Sequence, residues 1–373
     1  RPRMSKAAEL AALIGSQTAL SNRNLIINGA FQVAQRATSV TGVASDGYQA
    51  VDRFKTAISN AGTFTVSQAA DGPAGFSTCH KFDCTTAKSS LDASNYILFY
   101  QTIEARNLQS LGFGSSGAKQ ITLSFYVKSN KTGTYIAELA LGDATNASNN
   151  SQAYTISSAN TWERKTLTYA AQTVDVINND SGEGMNIFFW LGAGSQWSGG
   201  TLNSNVWANT TNANRAVGQV NLADSTSNEW SITGVQLELG EQATPFEHRS
   251  YGDDLALCQR YYHQILGNGA GSGNLKNICN VSYYNAGYIQ GLYFPPTSMR
   301  ATPSISQTTG TGYFAVSAGN TGDTFDAWAG IDNYSHINGI TLYANSGLSG
   351  TTGHAGMTYA RNDAAALALD AEL

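Results

Sequence analysis

The sequence predicts an all-β protein: an antiparallel jelly-roll β-sandwich followed by a smaller C-terminal β domain, with a short N-terminal helix ahead of both. Three observations carry that prediction. From Asn24 to about Glu247, apolar and polar residues alternate in short runs, the period of strands with one face buried. Turns rich in Gly, Ser and Asn separate the runs. Almost no helical periodicity lies between them, and parallel strands would need crossover helices, so the sheets are expected to be antiparallel.

The chain has 373 residues, enough for two domains of ordinary size. Arg1-Pro2-Arg3 precedes Met4, so the numbered start is expected to be that of a fragment or a processed product. Ser5 is a plausible N-cap, Leu10, Leu13 and Ile14 recur at helical spacing, and Gly15 is a stop signal. Residues 1–22 are therefore expected to form a helical arm. A helix of about three turns is marginal alone in water, so its apolar stripe should pack on the domain behind it or on copies of itself.

Residues 23–249 are expected to form the sandwich. Ile121, Leu123, Phe125 and Val127 alternate with Thr122, Ser124, Tyr126 and Lys128, and Phe64 and Val66 alternate with Thr63 and Thr65. These read as half-buried strands. Ile187-Phe188-Phe189-Trp190-Leu191 is apolar on both faces, as in the middle of a covered sheet. Trp230 and Ile232 are followed, after a phase shift at Gly234, by Val235, Leu237 and Leu239. A β-bulge at Gly234 would keep all five inward.

Residues 250–268 are expected to form a connecting helix and linker. Ser250 is its cap, Asp253 and Asp254 lie in the first turn, and Arg260 is near the end. A Gly-rich loop from Gly267 to Gly273 leads on. Residues 269–373 are expected to form the second β domain, with strands around Tyr283, Tyr288 to Phe294, Tyr313 to Val316, Ile340 to Tyr343 and Leu367 to Leu369. No fixed-period repeat is present, which disfavours a β-helix.

Composition narrows function. Charged residues make up 13% of the chain, about half the usual roughly 25%, leaving a surface rich in hydroxyls and amides. A net charge of −5 without a basic stripe argues against nucleic acid as a partner. No apolar run approaches the roughly 20 residues of a membrane-spanning helix, so no membrane insertion is expected. The four cysteines are too few for a disulfide scaffold; Cys79 and Cys84 could pair if a hairpin brought them together, but most are expected free and buried.

No catalytic constellation is found. Gly-x-Ser-x-Gly, the P-loop and His-Glu-x-x-His are all absent. Cys79-His80 with Cys84 lacks a fourth ligand, so neither a metal nor another cofactor is expected. Asn178 to Glu183 is oxygen-rich but lacks EF-hand spacing and reads as a turn. The candidate ligand-binding residues are aromatics in polar loops. Trp197 and Trp207 are flanked by Gln or Asn, a pattern in which an indole stacks on a sugar ring while amides bond its hydroxyls. Asp326, Trp328, Tyr334 and His336, with Asp332, form a similar polar-aromatic cluster in the C-terminal region.

Two stretches carry a resemblance: NRNLIINGAFQVAQR at Asn22 to Arg36 with VDRF at Val51 to Phe54, and the run from Asn214 to Tyr262 containing TGVQLELGEQATPFEHRSYGDDLALCQR. Together they resemble bacteriophage tail-fibre and related virion fibre proteins of the marine and cyanobacterial type, whose jelly roll is similar to carbohydrate-binding modules. Pro295 to Pro303 is similar to a segment preceding a variable tip in such proteins. The resemblance implies a homotrimeric adhesin on the virion, partnered by itself, by other tail or capsid proteins, and by host cell-surface polysaccharide or another receptor. It leaves open a virion adaptor such as a head fibre, capsid decoration or baseplate-linked protein, and, more remotely, a polysaccharide depolymerase.

Overall fold

The structure, a computed structural model, describes residues 23–142, 147–267, 276–319 and 321–373. The helix expected between Ser5 and Gly15 and most of the Gly-rich loop after Gly267 lie outside the described residues. Two compact units are present: the described residues up to Asp254 together with Leu373, and Leu255–Glu372.

The N-terminal unit is an antiparallel jelly roll. Its strands are β1 (Ser39–Val43), β2 (Gly47–Tyr48), β3 (Lys55–Ser59), β4 (Thr63–Ala69), β5 (Cys79–Thr86), β6 (Tyr96–Glu104) and β7 (Ile121–Ser129). They continue with β8 (Gly133–Leu141), β9 (Ser148–Ile156), β10 (Glu163–Tyr169), β11 (Glu183–Ala193), β12 (Ala208–Asn209) and β13 (Glu229–Leu239). One sheet has six strands in the order β1-β4-β5-β13-β7-β10, the other seven in the order β12-β9-β8-β11-β6-β3-β2. Successive segments pass repeatedly from one sheet to the other. Each strand therefore contributes alternate residues to one shared core, which is how the period of two in the sequence becomes a sandwich.

Phe64, Val66, Phe99, Phe125, Phe189 and Trp230 are all fully buried between the sheets. The register shift of β13 falls between Thr233 and Gln236, and Gly234 has φ 62°, a left-handed conformation natural to glycine. With this bulge Trp230, Ile232, Val235 and Leu237 all enter the core, and Leu239 packs against it.

β7 departs in part from a half-buried strand: its first half is buried on both faces, while Tyr126 and Lys128 on the outer face stay partly exposed. Thr122 and Ser124 are covered as well as Leu123 and Phe125. The cover comes from the ends of the unit. The Thr122 hydroxyl donates to the Gly240 carbonyl at 2.7 Å, and Asn24 accepts from the Leu237 amide at 3.0 Å while its own amide donates to Glu247 at 2.8 Å. The Thr122 hydroxyl on that outer face is thus satisfied by backbone rather than by water.

Cys79 and Cys84 lie on the same strand, both are free thiols, and burial pushes the Cys79 thiol up to about 11. Their odd spacing puts them on opposite faces, so they cannot meet. No group of three ligating side chains that could hold a metal is found among the described residues. His80 faces the core, stacked on Phe99 at 4.4 Å with the rings 5° apart.

Complete burial pushes the His80 imidazole down from 6.5 to about 3, and neither ring nitrogen has a hydrogen-bond partner. The unfolded chain therefore takes up this proton before the folded one does. His80 contributes stability above pH about 6.5 that is lost as pH falls towards 3. His80→Phe is expected to flatten the fall of the urea midpoint between about pH 6.5 and pH 4. Equal falls in both proteins would show that the acid sensitivity resides elsewhere.

A helix, α1 (Ser195–Ser198), follows β11, and α2 (Tyr251–Gln259) follows β13. Ser250 caps α2, its hydroxyl accepting from the Asp253 amide at 3.2 Å. Asp254 is buried, with Arg249 3.7 Å away.

The C-terminal unit contains β14 (Tyr262–Leu266), β15 (Asn277–Asn285), β16 (Tyr288–Tyr293), β17 (Ser304–Gln307) and β18 (Phe314–Ala318). After them come β19 (Thr321–Phe325), β20 (Gly330–Ile331), β21 (Ile340–Ala344), β22 (Ala355–Ala360) and β23 (Leu367–Asp370). A three-stranded sheet β14-β23-β17 accompanies a seven-stranded sheet β19-β18-β22-β15-β16-β21-β20. Its core is built on Phe314, Phe325, Trp328, Ile289, Leu342 and Leu367.

Candidate ligand-binding site

The seven-stranded sheet of the jelly roll buries one face in the core and turns the other outward. Cross-strand pairing aligns a single outward rung: Tyr48 with Lys55, Lys55 with Tyr100, Tyr100 with Phe188, and Phe188 with Glu138. At the usual strand spacing this rung is about 19 Å long. One cation, Lys55, sits between two of its rings. The Lys55 ammonium lies 5.7 Å from the Tyr48 ring and 5.9 Å from the Tyr100 ring, and Tyr100 meets Phe188 at 4.9 Å.

The next rung, Ala57, Leu98 and Trp190, forms an apolar floor. Over it sits a depression of about 200 Å³ walled by Asp46, Tyr96, Tyr100, Phe188, Trp197 and Arg215. A larger depression of about 530 Å³, lined by Ala118, Lys119, Gln120, Ala171, Gly240 and Glu241, carries no aromatic ring. Apolar walls with a few convergent polar groups favour the former as a ligand site.

The segment after β11 closes one end. Gly194 is extended, and a Cβ there would come within 1.9 Å of the Asp92 carbonyl oxygen, so only glycine allows this approach. The tight turn puts Trp197 edge-on to Tyr96 at 5.7 Å and 5.9 Å from Trp190. The Trp197 indole N–H donates to the Ser94 carbonyl at 3.2 Å. Its hydrogen bond is spent on orientation, and the ring is left half-buried at the cleft. The Trp197 carbonyl in turn accepts from Ala216 at 2.9 Å, which fixes the neighbouring Arg215.

Arg215 lies 5.4 Å from the Phe188 ring, 5.2 Å from Trp190 and 5.7 Å from Trp197. Its Nε donates to Glu138 Oε1 at 2.9 Å and its Nη2 lies 2.7 Å from the same oxygen. Glu138 Oε2 accepts from the Trp190 indole at 2.9 Å. Glu138 has no exposed surface, and burial raises its carboxyl above the usual range while Arg215 works against that rise. Burial likewise raises the Tyr96 hydroxyl and pushes the Tyr100 hydroxyl up to about 12. Both phenols are protonated at neutral pH and can donate.

The residues expected from sequence distribute unevenly. Trp197 lies at this cleft. Trp207 does not join it: its indole donates to the Ala170 carbonyl at 2.7 Å, its ring edges onto Phe113 at 5.6 Å, and it packs on the main core. Trp328 is 2% exposed, inside the core of the C-terminal unit, so it offers no surface to a ligand. Asp326 is exposed and accepts from the Gly312 amide at 2.8 Å. Tyr334, 83% exposed, and His336 share one loop with Asp332, whose Oδ1 accepts from the Tyr334 amide at 3.2 Å. Tyr96, Tyr100, Phe188, Glu138 and Arg215 were not singled out by sequence. One signal existed for Glu138, a lone acid in the otherwise apolar run Tyr135 to Leu141.

No known family profile matches the chain, and no curated protein matches it. Among solved structures, the chain is similar to the enzymatically active domain of tailspike protein 4 of bacteriophage CBA120, at 17% identity and a TM-score of 0.31. That match covers 58% of this chain and 21% of the tailspike domain. It is also similar to the family 11 carbohydrate-binding module of the cellulosomal cellulase Lic26A-Cel5E of Clostridium thermocellum, at 10% identity and a TM-score of 0.27, covering 55% of this chain and 99% of that one. TmCBM61 in complex with β-1,4-galactotriose is matched at 12% identity and a TM-score of 0.27, over 59% of this chain and 100% of that one. This chain thus spans about a fifth of the tailspike domain but nearly the whole of the two binding modules.

Proposed function

We propose that the protein is a bacteriophage virion fibre component, a homotrimeric adhesin that holds host-surface glycan on the outer face of its seven-stranded sheet without chemically altering it. The observation that carries the reading is the cleft itself: Trp197, Tyr96, Tyr100 and Phe188 around an apolar floor, with Arg215 and two protonated phenols as donors. Sugar rings present apolar C–H faces and hydroxyl edges, and this wall supplies a complement to each. The open part of the rung, from Tyr48 to Phe188, is about 14 Å long at the usual strand spacing, enough for more than one sugar ring.

Binding without turnover is supported by how the cleft's buried acid, Glu138, is used. Both Glu138 oxygens are engaged by Arg215 and Trp190, which leaves neither free to protonate a glycosidic oxygen. Asp46, the other carboxylate at the cleft, accepts from the Ile58 amide at 3.0 Å. The virion role rests on the resemblance of residues 22–36, 51–54 and 214–262 to tail-fibre proteins, and three modest sites on one trimer would gain by avidity.

The test is a glycan array with the intact chain and Trp197→Ala. The parent chain is expected to retain at least one polysaccharide, the variant to lose at least about tenfold in affinity, as loss of a stacking ring implies, and the glycan to be recovered at full length. Light scattering is expected to report a trimer. Shortened glycan would revive a depolymerase, and binding to virion proteins but to no glycan would favour an adaptor.

A further inference from the structure

The cleft carries a buried ion pair, Glu138 with Arg215. Taking a carboxylate and a guanidinium out of water is costly, and well-packed apolar side chains of similar volume commonly serve a sheet equally well. Here the pair lies at the edge of the cleft, with Glu138 fully buried and the Arg215 side chain 15% exposed and facing inward. Glu138 takes the Nε and Nη2 side of the guanidinium, the edge that otherwise grips a carboxylate, sulfate or phosphate by two parallel hydrogen bonds. Arg215 Nη1 makes no hydrogen bond to the protein among the described residues.

Resting on the glycan-binding reading above, we infer that Glu138 sets the charge preference of the cleft: by cancelling Arg215 and occupying its bidentate edge, it makes the cleft a site for uncharged saccharides. The remaining charges agree with this. Arg36, beside Tyr48, lies 3.8 Å from Asp52. Lys55 and Asp46 add one charge of each sign. The face therefore has no net field to favour an anion, and what Arg215 offers is an oriented donor for a hydroxyl oxygen. Glu138 touches no ligand; it is a positioning residue that acts through Arg215.

Affinity electrophoresis of the full chain tests this with a neutral set, glucan, galactan and xylan, against polygalacturonate. The parent chain is expected to be retarded by a neutral polysaccharide and at least about tenfold less by polygalacturonate. Glu138→Gln frees the charge of Arg215, so its affinity for polygalacturonate should rise about tenfold and become salt-sensitive, while its neutral binding weakens about threefold. The double variant Glu138→Gln with Arg215→Gln, neutral and similar in shape, should lose that gain. A parent chain that prefers polygalacturonate, or a Glu138→Gln chain that shifts both affinities alike, would overturn the inference and leave glycan binding standing. Retention of no polysaccharide by the parent chain would remove both. Should Glu138→Gln fail to fold, the salt response of the parent chain still decides: neutral-ligand affinity is expected to hold between about 0.05 and 0.5 M salt, and a steep fall would refute the uncharged site.

Discussion

Replacing Arg215 by alanine is expected to cost the N-terminal unit about 3–5 kcal/mol, the penalty for leaving a buried charge without its partner. Glu138 would keep only the Trp190 indole, at 2.9 Å, and the three rings around the guanidinium would lose their filler. The loss should depend on pH in a defined direction. Burial already raises the Glu138 carboxyl in the folded protein, and removing Arg215 raises it further. A group raised on folding contributes stability below its unfolded value, here 4.5, and that contribution is lost as pH rises through the folded value. The deficit of Arg215→Ala should therefore be largest at neutral pH and shrink on acidification. Urea unfolding followed by hydrogen exchange in peptides of each unit would measure it. Adding Glu138→Leu should restore much of the loss, because the penalty belongs to the stranded carboxylate. A deficit that stays constant with pH would mean that lost packing, rather than lost charge compensation, dominates.

Much of the fold was legible because alternation is a local signal. Phe64 and Val66, Ile121 to Val127 and the bulge at Gly234 could all be read from neighbouring residues. The site was less legible, and β11 shows why. Ile187 to Leu191 is apolar on both faces, which fits a strand at the centre of a covered sheet. β11 is central, but Phe188 and Trp190 point out of the sandwich, into the cleft under Trp197 and Arg215. An apolar outer face looks the same in sequence whether another layer or a ligand covers it. The Glu138–Arg215 pair was hidden for a different reason. Its members lie 77 positions apart, and the crossing of the segment after β12 back over β8 brings them together. Trp197 was readable because glycines on both sides announce an exposed turn. Trp328 was harder to place: its polar neighbours mark a surface segment and Asp326 is exposed, while the indole turns inward.

Trp328→Ala is accordingly expected to act on stability and not on recognition. The indole stands edge-on to Phe325 at 5.3 Å and 6.4 Å from Phe314, at the centre of the C-terminal core. Gln307 brackets its backbone, accepting from the Trp328 amide at 3.0 Å and donating to its carbonyl at 2.7 Å. Removing so large a buried ring costs about 3–5 kcal/mol. Against a total of roughly 5–15 kcal/mol for a domain, that is enough to leave the C-terminal unit partly unfolded at 37 °C. Trp328→Phe fills most of the volume and should recover more than half of the loss. Tyr334→Ala is the contrasting case, since a side chain 83% exposed contributes within about 0.5 kcal/mol to folding. Exchange protection in peptides from Leu255–Glu372 should collapse in Trp328→Ala and stay at the parent level in Tyr334→Ala. If Trp328→Ala kept its protection while losing a ligand, the indole would have to leave the core to bind. Any contact made by the C-terminal unit is instead expected at Tyr334 and His336, where ring surface already faces solvent at no cost to the fold.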